Sequence, residues 1–426
     1  MGLLIRNTLA VLPAGIGHAT GHHDLYLEGG DIAGIDEAPE GFTPDEVIDG
    51  TRLLTIPGLV NAHAHTYLSV MRNAADDLAF NDWLFGTIVP LESHLAPEDC
   101  YWASLLSQAE MIRSGTTCFN DMQMHAGQTS RAVVESGMRA VVCRALASVS
   151  YGRDDQRIAE ALRERDEFAC CDRLSFLLGP HAPYSCGPDY LRMVADRARE
   201  EGMGIHIHLA ESQGESVRIW AQHHCTPVEY VRDAGIFDVP TIAAHCTRVN
   251  ASDRTILAEH GVNVATNPAS NMKLGNGFAP VPELMEAGVN VCLGTDGAAS
   301  NNAQNMFREM GLLALVHKGS HELPRCISAD DALRIATRQG AKALGLPCGS
   351  IEVGKKADLA LLDLDAPSLT PLGDPVAALA YAVNGSEVDT MIIDGKVVLR
   401  HRELTTIDEE RVRFEVARIC ERLEMS

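Results

Sequence analysis

Eight short β-rich runs recur along the chain, and each feeds a stretch that reads as helix. They cover residues 54–65, 116–122, 140–146 and 174–181, then 204–209, 241–246, 262–267 and 289–296. Most are nearly unbroken in apolar residues, as in Ala140-Val141-Val142-Cys143, which is the pattern of strands covered on both faces. Amphipathic stretches such as 188–201 and 251–260 lie between them. Strand followed by helix, eight times over, predicts an α/β chain centred on a parallel (β/α)8 barrel, the TIM barrel. That barrel is expected over residues 57–350.

The two ends read differently. Residues 1–56 give short runs broken by turns, and from residue 351 the same pattern resumes. Gly29-Gly30-Asp31 and Gly395-Lys396 stand between apolar runs, where they signal hairpins. One small β-sandwich domain built from both termini, residues 1–56 and 351–426 with a tail, is the expected arrangement. The longest connection, roughly 66–115, is far above ordinary loop length and is expected to carry a lid or pocket wall.

The 426 residues suit one barrel-sized domain with an accessory domain. Lys and Arg number 35 against 58 Asp and Glu, a net charge of −23 that repels polyanions, so nucleic acid and anionic membranes are not expected partners. No apolar run approaches the ~18 residues of a membrane span. The start, Met1-Gly2-Leu3-Leu4-Ile5-Arg6, lacks a basic region ahead of an apolar core, so export is not expected. Arg6 stands where a myristoylation signal wants Ser or Thr. The 12 cysteines are scattered without a C-x-x-C pair, which suits reduced thiols in a cytoplasm.

In such a barrel, chemistry gathers at the C-terminal ends of the strands. His63 and His65 close the first run two residues apart, so in a strand both imidazoles project from one face. His181 ends the fourth run, His208 with Glu211 the fifth, His245 the sixth and Asp296 the eighth. Taken singly, a buried His is usually a hydrogen-bonded core residue, and an Asp after Gly-Thr can cap the next helix. Together they are harder to dismiss, because unpaired burial of each would be costly. Three neutral imidazoles plus one carboxylate, with a position left open for water, match a catalytic divalent ion. His206 shares a face with His208 but lies one layer deeper, and it reads as structural. His18, His22, His23, His223 and His224 sit in polar stretches and read as solvated surface.

Four stretches carry a wider likeness: Pro57-Gly58-Leu59-Val60-Asn61-Ala62-His63-Ala64-His65, His208-Leu209-Ala210-Glu211, Asn267-Pro268-Ala269-Ser270-Asn271-Met272-Lys273-Leu274, and Leu293-Gly294-Thr295-Asp296-Gly297-Ala298-Ala299-Ser300-Asn301-Asn302. On these the chain resembles the amidohydrolase superfamily. Within it, the chain is similar to the branch of 5′-methylthioadenosine/S-adenosylhomocysteine deaminases and s-triazine hydrolases. The likeness runs from Leu3-Leu4-Ile5-Arg6-Asn7 to Gly354-Lys355-Lys356-Ala357-Asp358.

The resemblance implies that His63, His65, His208 and Asp296 hold one divalent ion, Zn²⁺ first, with Fe²⁺ and Ni²⁺ accepted by the same set. Two-metal members use a bridging modified lysine on the fourth strand, and here that strand ends in His181. Such an ion lowers the pKa of a coordinated water to about 7. The resemblance makes Asp296 the acceptor of that water's proton, His245 its orienting contact and Glu211 the proton shuttle to the ring nitrogen. Trp83 would line the pocket and Glu92 would hold the ribose hydroxyls. Arg144 and His181 would meet the far end of the substrate, including the amino-acid carboxylate of S-adenosylhomocysteine. Arg153 and Arg157 compete for a second arginine expected in the following loop.

The implied reaction is deamination of S-adenosylhomocysteine, 5′-methylthioadenosine, adenosine or 5′-deoxyadenosine to the inosine analogue and ammonia. The alternative is an aminohydrolase or chlorohydrolase of another nitrogen heterocycle, such as guanine or an s-triazine. A non-enzymatic scaffold barrel would have no need for four metal ligands and a shuttle. Family resemblance also implies a homo-oligomer, a dimer or tetramer. The cytidine-type zinc deaminases need H-x-E and P-C-x-x-C; this chain has Pro347-Cys348-Gly349-Ser350-Ile351, which excludes them.

Overall fold

The computed structural model describes residues 2–148 and 155–424. The eight expected strands form as β1 (Leu59–His65), β2 (Thr116–Gln123), β3 (Arg139–Leu146), β4 (Leu174–Pro180), β5 (Ile205–Leu209), β6 (Thr241–His245), β7 (Asn263–Thr266) and β8 (Asn290–Leu293), followed by a two-residue β9 (Asp296–Gly297). All run parallel in one curled sheet, in the order β8-β7-β6-β5-β4-β3-β2-β1-β9. The two ends of that path, β8 and β9, are separated in the chain only by Gly294 and Thr295.

The break between β8 and β9 has a steric cause. A Cβ at Gly294 would lie 2.4 Å from Asn267 Oδ1 and 2.8 Å from the Cβ of His63, so only glycine allows this approach to β1. Side chains replace the missing ladder there. The backbone N–H of Thr295 donates to Asn61 Oδ1 at 3.0 Å, and Asn61 Nδ2 donates back to Thr295 Oγ1 at 2.7 Å.

Residues 54–65 read as one strand but form two. The chain leaves the strand Leu53–Pro57 at Gly58 and enters β1 in the other sheet. A Cβ at Gly58 would fall 2.1 Å from Thr117 Oγ1, and the Gly58 N–H is held by the Asp358 carbonyl at 2.9 Å. Both termini build the second, mixed sheet. Its path runs Glu403–Leu404, Lys396–Arg400, Val388–Ile393, Leu359–Asp363, Leu53–Pro57, Gly2–Ala14, Gly17–Glu28 and Asp31–Ile35, with Glu46–Asp49 beside Gly2–Ala14. Both expected hairpins are present, and all nine strands belong to one hydrogen-bonded sheet. Leu3, Ile5, Leu25, Leu27, Leu359 and Leu361 form its core.

The C-terminal helix Glu409–Arg422 leaves that sheet. Its Val412, Val416 and Ile419 join the main core, beside the helix Pro97–Arg113. The long connection accordingly divides in two. Residues 66–92 form short helical turns, and Pro97–Arg113 is an ordinary covering helix with a buried face. His18 departs from the solvated expectation: its Nδ1 sits 2.7 Å from Asp330 Oδ1 and its side chain is nearly buried, tying the strand Gly17–Glu28 to the helix Ala329–Ala336. Among the described residues, no helix is long and apolar enough to cross a membrane. All twelve cysteines are unpaired.

Candidate active site

Strand ends deliver the polar groups to one place. His65 Nδ1 lies 2.7 Å from the Met122 carbonyl at the end of β2, and His208 Nδ1 lies 2.7 Å from the His181 carbonyl beyond β4. A carbonyl can only accept, so each ring carries its proton on Nδ1 and turns a lone pair outward on Nε2. Those two Nε2 atoms face each other at 3.1 Å. His63 Nε2 is buried without a hydrogen bond, with Asp296 Oδ1 3.5 Å away; the same oxygen is 3.4 Å from His65 Nε2. Nitrogen atoms of His63, His65 and His208 lie within 4.8 Å of one another, as do the ligating atoms of His63, His245 and Asp296.

Opposed lone pairs, an orphaned buried nitrogen and a carboxylate are mutually unfavourable without a cation among them. The donor set therefore fits a divalent ion, with imidazole and carboxylate ligands of the kind zinc accepts. Burial lowers the His63 imidazole to about 3, which keeps it neutral. Burial raises the Asp296 carboxyl, but the imidazoles around it, His63 first, outweigh this and hold it well below the usual carboxylate range.

Supporting contacts fix each donor. His63 Nδ1 lies 3.0 Å from His206 Nε2, whose own Nδ1 lies 2.7 Å from Asn120 Nδ2. His206 is buried one layer down, as its place in β5 suggests, and braces His63 from behind. Ser270 Oγ donates to Asp296 Oδ2 at 2.6 Å, and the Gly297 N–H donates to Oδ1 at 2.8 Å. Asp296 and His245 adopt φ of 62° and 75°, a left-handed backbone uncommon outside glycine and frequent where side chains are aimed for function.

Glu211 and His245 stand beside this cluster, with Glu211 Oε1 3.9 Å from His245 Nε2. His245 Nδ1 is set by Asn271 Oδ1 at 2.8 Å. Burial, then the negative charges of Asp296 and Glu215, push the Glu211 carboxyl well above its usual range. Glu215 accepts from the N–H groups of Ala210 (2.9 Å) and Glu211 (2.8 Å), which pins the turn that presents Glu211.

A cavity of about 460 Å³ opens beside His65, with Tyr67, Glu92, Arg144, His181 and Tyr184 in its walls. It shares His65, Tyr67, Glu92 and His181 with a narrower recess under Trp83 that faces Glu211, His245 and Asp296. Trp83 is buried and its indole N–H reaches the Ala299 carbonyl at 3.3 Å. Glu92 Oε1 accepts from the Tyr67 hydroxyl at 2.5 Å, and burial raises its carboxyl. His181 Nδ1 pairs with Ser185 Oγ at 3.0 Å, and burial lowers its imidazole to about 4.

Arg144 lines this cavity, where its guanidinium pairs with Glu160 at 2.5 Å and Glu164 at 3.3 Å on the helix Asp155–Glu167. Arg157 reaches the cavity from the exposed face of that helix, and Arg153 lies outside the described residues. Sequence reasoning missed Tyr67, Ser270, Asn271 and Glu215. Ser270 and Asn271 stand within the family-like stretch 267–274, though no role was assigned to them, and Glu215 carried the Ser212-x-x-Glu215 capping spacing.

Residues 54–398 match the sequence profile of the amidohydrolase family. The chain is 46% identical over 409 residues to the 5-methylthioadenosine/S-adenosylhomocysteine deaminase of Acetivibrio thermocellus, covering 94% of each. It is 41% identical over 432 residues to the deaminase of the same name from Thermoanaerobacter pseudethanolicus, covering 99% of each. Among solved structures, an adenosine deaminase from Xanthomonas campestris with bound zinc superposes with a TM-score of 0.94 at 32% identity, over 100% of this chain and 99% of that one. An atrazine chlorohydrolase from Arthrobacter aurescens, complexed with zinc, shares the fold at a TM-score of 0.90 and 23% identity, over 98% of this chain and 99% of that one.

Proposed function

Because the chain belongs to the amidohydrolase family and is a hydrolase of C–N bonds, we propose that it deaminates adenosine-type nucleosides, giving the inosine analogue and ammonia. One observation carries the reading: the buried carboxyl of Glu211 stands 3.9 Å from His245 Nε2, beside the converging imidazoles of His63, His65 and His208 and the carboxylate of Asp296. His63, His65, His208 and Asp296 would hold the divalent ion, with zinc ahead of iron(II) or nickel(II), given the bound zinc of the Xanthomonas enzyme. That ion supplies a water made acidic enough to attack at neutral pH.

This chain's residues do the rest. Glu211 gives its proton to the ring nitrogen beside the attacked carbon, so that charge develops on a neutralised ring. Asp296 takes the proton of the attacking water and His245 Nε2 orients its oxygen. Return of a proton to the exocyclic nitrogen lets ammonia leave. Trp83 covers the recess that receives the base, and Glu92 accepts from the ribose hydroxyls through the oxygen that Tyr67 does not occupy.

The same reading takes residues 57–350 as a closed barrel in which β8 and β9 are one interrupted stave, with residues 1–56 and 351–426 as the accessory domain. The two-residue gap at Gly294-Thr295 and the Asn61 bonds that bridge it support this. A reducing cytoplasm agrees with twelve unpaired cysteines, most of them buried.

The test is ammonia release by zinc-loaded protein from adenosine, 5′-methylthioadenosine, S-adenosylhomocysteine, guanine and an s-triazine. Turnover of the nucleosides with little from the others is expected. Release from guanine or the triazine alone would replace the nucleoside assignment by another heterocycle aminohydrolase.

A further inference from the structure

This inference rests on the reading of Asp296 as metal ligand and proton acceptor, and it concerns what holds that residue in place. Glu309 lies on the helix Met306–Ser320 and lines neither cavity of the site. It is fully buried. A carboxyl removed from water is costly unless its oxygens are used. Both are used here. Oε2 accepts from the backbone N–H of Ala269 at 3.0 Å, and Oε1 accepts from Asn301 Nδ2 at 2.8 Å.

Those two donors belong to the two turns that surround Asp296. Ala269 stands in the turn after β7. The next residue, Ser270, donates to Asp296 Oδ2 at 2.6 Å, and Asn271 Oδ1 meets His245 Nδ1 at 2.8 Å. Asn301 stands in the turn after β9, and its Nδ2 also donates to the Thr295 carbonyl at 2.7 Å, one residue before Asp296. Glu309 thus reaches Asp296 by two routes, to its side chain through Ala269 and Ser270 and to its backbone through Asn301 and Thr295. Asp296 needs such bracing, because at φ 62° its backbone persists only where the surroundings over-determine it. With Oδ2 held by Ser270, Oδ1 is the oxygen that faces Nε2 of His63 and of His65. Glu215 bears a similar relation to Glu211, pinning one turn where Glu309 spans two.

We propose that Glu309 is a positioning residue for the reaction. It ties the turns after β7 and β9 together, so that the Asp296 carboxylate and the His245 ring stay aimed at the point where His63, His65 and His208 converge. A glutamate that merely joined helix to turns would matter to stability alone.

The experiment uses Glu309→Gln, Ser270→Ala and the double variant. Glutamine keeps the shape of Glu309 but presents an N–H to one of two donors, so one tie breaks. Asn301 cannot turn its amide to compensate, because Nδ2 also serves Thr295. At saturating zinc, Glu309→Gln should lower kcat by about 10–100-fold, with KM for adenosine within about threefold of wild type. Zinc titrated into the metal-free protein should bind about tenfold more weakly. Ser270→Ala should move both quantities in the same direction. The double variant should lose clearly less than the product of the two single losses, since both act along one route. Thermal denaturation reads folding separately. Should Glu309→Gln not fold, Glu309→Asp, one methylene short of reaching both donors, is measured in its place against the same expectations. A folded variant with wild-type kcat and zinc affinity overturns the inference, as do losses that multiply in full. The zinc titration needs no substrate, so it decides this inference even where nucleosides are not turned over and the nucleoside reading falls. Wild-type protein that binds no zinc removes the premise and the inference with it.

Discussion

Two influences raise the Glu211 carboxyl, and they act in the same direction. It is removed from water, and its nearest charged neighbours, Asp296 and Glu215, are negative. A glutamine there preserves size and one hydrogen-bonding oxygen but can neither give up nor regain a proton. Glu211→Gln should therefore lower kcat by about 10²–10⁴ with zinc content unchanged. Steady-state ammonia release together with elemental analysis checks this, and a kcat within a few-fold of wild type would remove the shuttle role. Glu92 makes a different demand. Glu92→Ala should raise KM for nucleosides by about tenfold, the worth of a charge-assisted bond to a hydroxyl, with kcat and metal content much less affected. An unmoved KM would end the diol reading. His63, His65, His208 and Asp296 were legible in the sequence because each closes an apolar run, where a polar side chain has few reasons to be. Tyr67, Ser270 and Asn271 were not, since their reach depends on how the turns after β1 and β7 fold back, and spacing does not encode that.

Hydropathy cannot see a change of sheet inside one apolar run, which is why residues 54–65 read as a single strand. Gly58 is the joint. Its missing side chain is the space into which Thr117 packs, so Gly58→Ala places a methyl within 2.2 Å of two Thr117 side-chain atoms. The two sheets must then move apart, at a cost of about 1–3 kcal/mol, read as a lower denaturation midpoint. An unchanged midpoint would mean that the junction is softer than its packing implies. A second test at this scale uses the helix Met306–Ser320. Burial first, then the nearby His321, lowers the imidazole of His317 to about 4, with Glu283 opposing. The folded state therefore refuses a proton that the unfolded chain accepts below its ordinary value near 6.5. The stability this residue contributes is whole above about pH 6.5 and is lost as the pH falls toward 4, reaching roughly 2 kcal/mol at about pH 5. Replacing His317 by Gln should shrink the difference between the Tm values at neutral and mildly acid pH. If the difference stays as in wild type, His317 is not the titrating group.

Across the whole molecule, the local βα rhythm was readable and the long-range pairing was not. Each barrel strand neighbours the next in sequence, so alternation alone predicts the order β1 to β8. The mixed sheet joins Leu359–Asp363 to Leu53–Pro57 across some three hundred residues, and no local pattern encodes that partner or its antiparallel register. The candidate metal centre makes a similar long-range link. Its donors come from β1, β5 and β9, so the first strand, the fifth and the last are tied through one point. Without a cation, the facing Nε2 atoms of His65 and His208 and the orphaned Nε2 of His63 push against the packing that brings them together. An ion that binds only the folded arrangement stabilises it by RT ln(1 + [L]/Kd), about 4 kcal/mol when the free ion exceeds Kd a thousandfold. Chelation should thus lower Tm by several degrees, and zinc should restore it. His208→Ala, with one donor gone, should show a much smaller response to both. If the chelated and zinc-loaded proteins melt together while elemental analysis shows full loading of the latter, the cluster does not link these strands through a metal, and its imidazoles are only a buried polar core.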